Sequence, residues 1–285
     1  CSVMKLLHPQ SDIFTPDGTD PDVALARTTH LCVIAHQDDI EINAYPAVAE
    51  CYGHNDRFFT GVTVSNGSGS SRTGPFADYT DEQMQAVRAE EQREAARLGQ
   101  YNLQLQLGYP SADVKQAGHE NVMADLTAIF SACRPEIVYL HQPLDKHDTH
   151  VAVLLRCIEA IRALPIDQRP PKVLGIEAWR GLDWLLDDEK IALDSSAHPD
   201  LAMKLMHVFA SQIAGGKRYD EAALGRRRAN ATFHTSHASD EFTELTWAID
   251  LTPLILDDAL SMTEFAQDRV DRLRKDVADR ISRMS

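Results

Sequence analysis

Short apolar runs alternate along the chain with longer stretches in which apolar residues recur at three- and four-residue intervals. The runs His30 to Ala35, Phe58 to Ser65, Leu103 to Leu107, Glu136 to Leu140 and Lys172 to Ala178 predict strands. Between them, Glu41 to Tyr52, Thr80 to Leu98, Glu120 to Cys133 and His150 to Leu164 predict helices. Strand and helix alternate without hairpin signals, which implies a three-layer α/β fold: a mostly parallel twisted sheet with helices on both faces. Beyond Trp179 the pattern predicts a short strand at Lys190 to Leu193, helices at Pro199 to Ile213 and Tyr219 to Thr232, and a strand at Leu245 to Leu251. In the final helix Phe265, Val270, Leu273, Val277 and Ile281 form one apolar stripe, expected to pack on the body.

Composition narrows this picture. A chain of 285 residues with 44% hydrophobic content and a mean hydropathy of -0.30 can bury a large core, and we read residues 1–285 as a single domain. No apolar stretch approaches the roughly 20 residues a membrane span needs. A net charge of -15 repels nucleic acid and anionic membranes, so a substrate that is small or neutral is expected. Five cysteines without CxxC spacing read as reduced core residues. No basic leader with a long apolar core opens the chain, so a cytoplasmic location is expected. Oligomeric state is left open, a homo-oligomer included.

In a Rossmann-like sheet, ligands bind beyond the carboxyl ends of the strands, and two polar clusters stand there. His36, Gln37, Asp38 and Asp39 directly follow the first predicted strand; Asp145, His147 and His150 follow the fourth. Together they offer His, Asp and His ligands with an open fourth position, the arrangement of a catalytic zinc site. Each cluster also has a plainer reading. Asp38 and Glu41 have capping-box spacing, and Asp145, Asp148 or Thr149 suit a helix start. A cap, however, has no need of His36. The Gly- and Ser-rich segment Ser65 to Tyr79 reads as a loop at the same edge, either a lid or a surface loop without a role.

AHQDDIE at Ala35 to Glu41 resembles the AHPDDE signature of the LmbE-like, PIG-L superfamily of zinc-dependent N-deacetylases, and RPEIVYLHQPLDKHDTH at Arg134 to His150 resembles its second motif. VTVSNG at Val62 to Gly67 and VRAEEQREAARLG at Val87 to Gly99 are similar to the pattern between them. The resemblance covers about the first 165 residues, the metal-binding core, and leaves 166–285 as a substrate-side extension. It implies one Zn2+ held by His36, Asp39 and His150, with Asp38 as general base and His147 facing the oxyanion. Arg88, Asn66 and Asp145 would lie on the substrate side, and the substrate would be an N-acetylglucosamine-type sugar or its glycoside. Two positions depart from the pattern. Gln37 replaces the usual proline, and Thr149 stands where an aspartate often pairs with the oxyanion histidine, leaving Asp145 as a substitute. Iron or cobalt also suits such a ligand set.

Other readings stay open. Arg88 can pair with Glu91 on a helix surface. Lys217, Arg218 and Arg226 to Arg228 either hold a substrate anion or are solvated. Trp179 and Trp184 either stack on a sugar or fill the core. A zinc amidase acting on a thiol conjugate or an antibiotic precursor, or a catalytically silent sugar or metal binder, are the competing functions; Asp38 beside the ligands weighs against the last.

Overall fold

The computed structural model describes residues 4–285; Cys1 lies outside them. Its strands are β1 (Asp12–Phe14), β2 (His30–Ile34), β3 (Phe59–Ser65), β4 (Leu103–Tyr109), β5 (Ile137–His141), β6 (Val173–Ile176), β7 (Lys190–Asp194) and β8 (Leu245–Asp250). They form one sheet in the order β1-β4-β3-β2-β5-β6-β8-β7. The five strands from β4 to β6 are parallel; β1, β7 and β8 pair antiparallel with their neighbours at the edges. β2, β3 and β4 are buried along their whole length; β2 accordingly reads as a nearly unbroken apolar run, whereas β4 alternates Leu with Gln and hydrogen-bonds its buried Gln104 and Gln106.

Successive residues of β2 face opposite sides of the sheet. Leu31 and Val33 join a core layer with the helices Glu120–Ala132 and Asp148–Arg162, while Cys32 and Ile34 join another with Tyr45–Cys51, Asp81–Leu98 and Pro199–Val208. The chain runs outward from β2 through β3 to β4, then restarts on the other side with β5 and β6. The reversal point between β2 and β5 therefore brings the two polar clusters to adjacent strand ends. Cys32, Cys51, Cys133 and Cys157 are buried free thiols. Among the described residues no helix is long and apolar enough to cross a membrane.

Several features differ from the pattern. The helix expected over 41–52 is two, Asp39–Asn43 and Tyr45–Cys51. Pro46 has no N–H to give the carbonyl of Ile42, and it disfavours the helical conformation just before it. Arg227, from 185 residues further on, replaces that bond: its Nη2 donates to the carbonyls of Ile42 at 2.8 Å and Glu41 at 2.9 Å, with its guanidinium 4.9 Å from the Tyr45 ring centre. Arg227→Met is expected to leave buried carbonyls unpaired and to destabilise the fold by about 1–3 kcal/mol. A lowered urea midpoint at constant m value would show it, whereas an unchanged midpoint would remove Arg227 from this role.

The second split lies at Phe209, where the helix expected over 199–213 divides into Pro199–Val208 and Ala210–Ile213. The third corrects the expected docking of the last helix, Met262–Met284. Only Phe265 enters the core, and Val270, Val277 and Ile281 are 43%, 45% and 62% exposed. Phe265 and the pairing of Arg272 with Asp188 and Glu189 fasten its first half. Periodicity marks an apolar face on a helix without specifying what covers it. β1 is absent from the predicted elements, since three residues at a sheet edge are too few for a readable period.

Candidate active site

At the end of β2 the chain enters the segment His36 to Asp39, and Asp38 adopts a left-handed backbone conformation with φ 91°. Such a conformation is uncommon outside glycine and costs about 1–3 kcal/mol, so neighbouring groups must hold it. The Asp38 N–H donates to Gln92 Oε1 at 3.3 Å, Arg88 Nη1 donates to Asp38 Oδ2 at 3.4 Å, and Arg88 Nη2 donates to the Gln37 carbonyl. The Gln37 side chain, standing where the superfamily has proline, is buried and donates to the Ser65 carbonyl and Gln106 Oε1, each at 3.3 Å. Asp38 makes no side-chain cap bond to the helix it precedes. The capping reading of this segment is therefore not realised, and the carboxylate faces the cavity instead.

Three donor atoms converge beside Asp38. His36 Nδ1 is 3.1 Å from Asp39 Oδ2, His150 Nε2 is 3.2 Å from the same oxygen, and the two ring nitrogens are 3.3 Å apart. Ligands at about 2.0–2.1 Å from a tetrahedral ion lie about 3.3–3.4 Å from one another. The observed triangle matches one face of such a tetrahedron, so these residues fit a divalent cation. Behind it, Asp145 Oδ2 is 3.4 Å from His150 Nδ1, while the carboxylate also accepts the N–H groups of His147 at 3.0 Å and Trp179 at 3.2 Å. Its side chain is closed to solvent. Expected on the substrate side, Asp145 instead stands behind His150, against Nδ1 of its ring. Asp145→Asn is expected to weaken metal binding about 10–100-fold, measurable by competition with a chelating dye; unchanged affinity would contradict this.

His141 is not among the residues the motifs single out. It stacks on His150 with centroids 3.9 Å apart, and donor atoms of Asp39, His141 and His150 cluster within 4.8 Å. Its Nε2 already accepts the Ala35 N–H at 2.9 Å, so that lone pair is used and His141 backs the His150 ring. Its place at the end of β5 was the available signal. His147 opens the helix Asp148–Arg162, with its ring 4.5 Å from that of His150 and 4.8 Å from that of His36. Its Nδ1 is buried with no partner among the described residues. Asp148 is exposed, and neither it nor Thr149 takes up the pairing of the usual aspartate.

Charges in the site are strongly perturbed. Burial pushes the Asp38 carboxyl up, with Arg88 opposing and Asp39 reinforcing the rise. Burial alone would also raise Asp39, but the charge and hydrogen bonds of His150 and His36 hold it well below the usual range. For His150 the order of forces is similar: burial disfavours its cation, yet Asp39 and Asp145 lift it to about 10. Burial and the neighbouring imidazoles lower His147, which favours its neutral form.

His36, Asp38, Asp39 and His147 line the floor of a cavity of about 640 Å³, with His150 buried behind them. Arg88, 2% exposed, lines it, and its alternative partner Glu91 instead accepts from the N–H and hydroxyl of Ser211 at 2.8 and 2.7 Å. The loop after β3 contributes Gly67, Gly69, Ser70 and Ser71. Gly67 has φ +73° there, and a Cβ on it would lie 2.7 Å from Gln37 Oε1. Asn66 does not reach this cavity: its Oδ1 accepts the Ser68 N–H at 3.1 Å, and it borders a separate depression with Gln10 and Glu82. Trp179 and Tyr219 supply part of the wall; Trp184 packs against the core instead.

A mostly parallel sheet whose reversal point holds a His, Asp and His triangle with a further carboxylate beside it is an α/β arrangement that could hold a divalent cation. Residues 31–161 match the family described as PIG-L: GlcNAc-PI de-N-acetylase. That stretch, a little under half of the chain, contains every residue of the triangle and Asp38; over it the chain is similar to a family of deacetylases, enzymes acting on amides. No functionally curated protein matches the sequence. Among solved structures, the chain resembles GalB, the 4-carboxy-2-hydroxymuconate hydratase from Pseudomonas putida, with 18% identity over 79% of this chain and 96% of that one, at a TM-score of 0.59. A conserved protein from Thermus thermophilus gives 16% identity over 82% and 99%, at 0.62. The N,N'-diacetylchitobiose deacetylase from Pyrococcus horikoshii gives 17% over 77% and 83%, at 0.58. At these identities the likeness is one of fold.

Proposed function

We propose that this protein removes the N-acetyl group from an N-acetylglucosamine-type sugar or its glycoside, with zinc held by His36, Asp39 and His150. The observation that carries the reading is Asp38: a buried carboxylate left outside the ligand triangle, kept in a strained conformation and facing the cavity. Pure binding gives no reason to maintain it. The family match and the resemblance to a chitobiose deacetylase support an acetylated sugar as substrate. Fold alone does not decide the reaction, since a hydratase shares it.

A divalent cation held by His36, Asp39 and His150 would, when bound, lower the pKa of a water towards neutrality and polarise a carbonyl. Asp38 accepts the proton of the attacking water and afterwards delivers it to the leaving amine, a general base and then a general acid. Burial favours this double use, because it narrows the gap between the carboxylate and the groups with which it exchanges protons. Arg88 keeps the side chain aimed while its second nitrogen holds the Gln37 carbonyl. His147 donates a hydrogen bond to the oxyanion that develops on the acetyl oxygen. The products are acetate and a free amine.

His147→Ala is expected to lower kcat by roughly 10²–10³ with a smaller change in KM; loss confined to KM would make His147 a binding residue. The reading as a whole is tested by incubating the zinc-loaded protein with N-acetylglucosamine glycosides and assaying acetate and free amine together. Stoichiometric release of both supports it. Binding of these sugars without release would instead identify a silent binder.

A further inference from the structure

Two side chains of one helix hold the turn that carries Asp38. Arg88 and Gln92 stand four residues apart on Asp81–Leu98 and so share a face. Arg88 takes the Gln37 carbonyl and the Asp38 carboxylate, whereas Gln92 Oε1 accepts the Asp38 N–H at 3.3 Å. The two contacts differ in kind. A guanidinium only donates, but a carboxamide has one end that accepts and one that donates. With its amide reversed, Gln92 would turn an NH2 group to the Asp38 N–H, donor against donor. Gln92 therefore supports the left-handed turn in only one of its two orientations.

Glu41 sets that orientation. Its Oε1 accepts Gln92 Nε2 at 2.9 Å and the Tyr101 hydroxyl at 2.6 Å. Two donors on one oxygen make it an acceptor whatever the charge of the carboxyl, because Oε2, without a partner among the described residues, is the oxygen left to carry a proton. Glu41, Gln92 and Tyr101 are all buried, so solvent does not compete for these bonds. Tyr101 in turn packs on Phe59, with ring centres 4.7 Å apart, in the core layer that also holds Ile40 and Ala95. A line of hydrogen bonds thus runs from the core through Tyr101, Glu41 and Gln92 to the Asp38 amide. Of these four residues only Asp38 lines the cavity.

We propose that Glu41 and Tyr101 are positioning residues for the base: acting through Gln92, they hold the Asp38 turn left-handed and so aim its carboxylate into the cavity. The catalytic consequence rests on the deacetylase reading; the dependence of the turn on these three buried groups does not. A misplacement of about 1 Å in a reacting group costs roughly 10²-fold in rate, so a bond remote from the cavity governs turnover without touching substrate.

Gln92→Met keeps the length of the side chain and removes both of its bonds, and Tyr101→Phe removes a single hydroxyl. In the zinc-loaded protein, Gln92→Met should lower kcat for methyl N-acetylglucosaminide roughly 10–100-fold and Tyr101→Phe roughly 2–10-fold, with KM and metal content close to those of wild type. Added to Asp38→Asn, either change should cost no further turnover, because no base is left to aim; a merely structural role would lower the double variants as well. Crystal structures give a readout that needs no turnover. The Asp38 carboxylate should be displaced relative to Arg88 in both variants, and its backbone should leave the left-handed region in Gln92→Met. An Asp38 turn unchanged in these structures, a kcat equal to that of wild type, or losses that persist in full on top of Asp38→Asn overturns the proposal. Tyr101→Phe, the milder change, carries the test should Gln92→Met not fold. A wild-type protein that releases no acetate removes the deacetylase reading, and the variant structures then decide the positioning role alone.

Discussion

Asp38→Asn is expected to retain one metal ion per chain while its kcat falls by about 10²–10⁴, the range a positioned general base contributes. The amide is close in size to the carboxylate and can still meet Arg88, so the left-handed turn and the triangle of His36, Asp39 and His150 should persist. What it cannot do is take a proton from water. The measurement is kcat in parallel with metal content. Turnover within a few-fold of wild type would exclude Asp38 as base, and loss of metal would show that it supports the site rather than the chemistry.

His150→Ala is expected to have a different and broader effect: loss of the metal and, with it, of turnover down to background. His150 contributes one corner of the triangle, and its side chain is fully buried between Asp39 and Asp145. Removing the ring leaves two carboxylates facing a cavity without the imidazole between them, a costly arrangement unless one is protonated. The fold should survive, because the core layers on both faces of the sheet do not depend on this ring. Metal content after dialysis and the far-ultraviolet dichroism of the variant check the two halves of the statement. A variant that keeps a stoichiometric metal would place the ligand elsewhere, with His147 and His141 the neighbouring imidazoles.

The floor of the site was legible in the sequence for a physical reason. In a parallel sheet the residues just past a buried strand must face the ligand edge, so His36 to Asp39 after β2 and Asp145 to His150 after β5 were placed by the apolar runs before them. The order of strands then made them neighbours. Direction was harder to read than position. Asp145 lies where expected along the chain, but its carboxylate turns inward to His150, and Asn66 turns to a different depression; a side-chain rotamer leaves no periodic trace. Long-range partners were equally hidden. Pro46 announced a break in its helix, yet nothing nearby indicated that Arg227 would take over the freed carbonyl, or that Gln92 would hold the Asp38 amide. The cavity wall at Trp179, Tyr219 and Lys217 comes from the extension beyond residue 165, where spacing left both a functional and a structural reading open.

The most direct test is a crystal structure of the zinc-loaded protein with an anomalous difference map collected at the zinc edge. A single peak within about 2.0–2.2 Å of His36 Nδ1, Asp39 Oδ2 and His150 Nε2, with the Asp38 carboxylate outside bonding distance, is the predicted result. A peak coordinated by Asp38, or by His141 in place of His36, would contradict it.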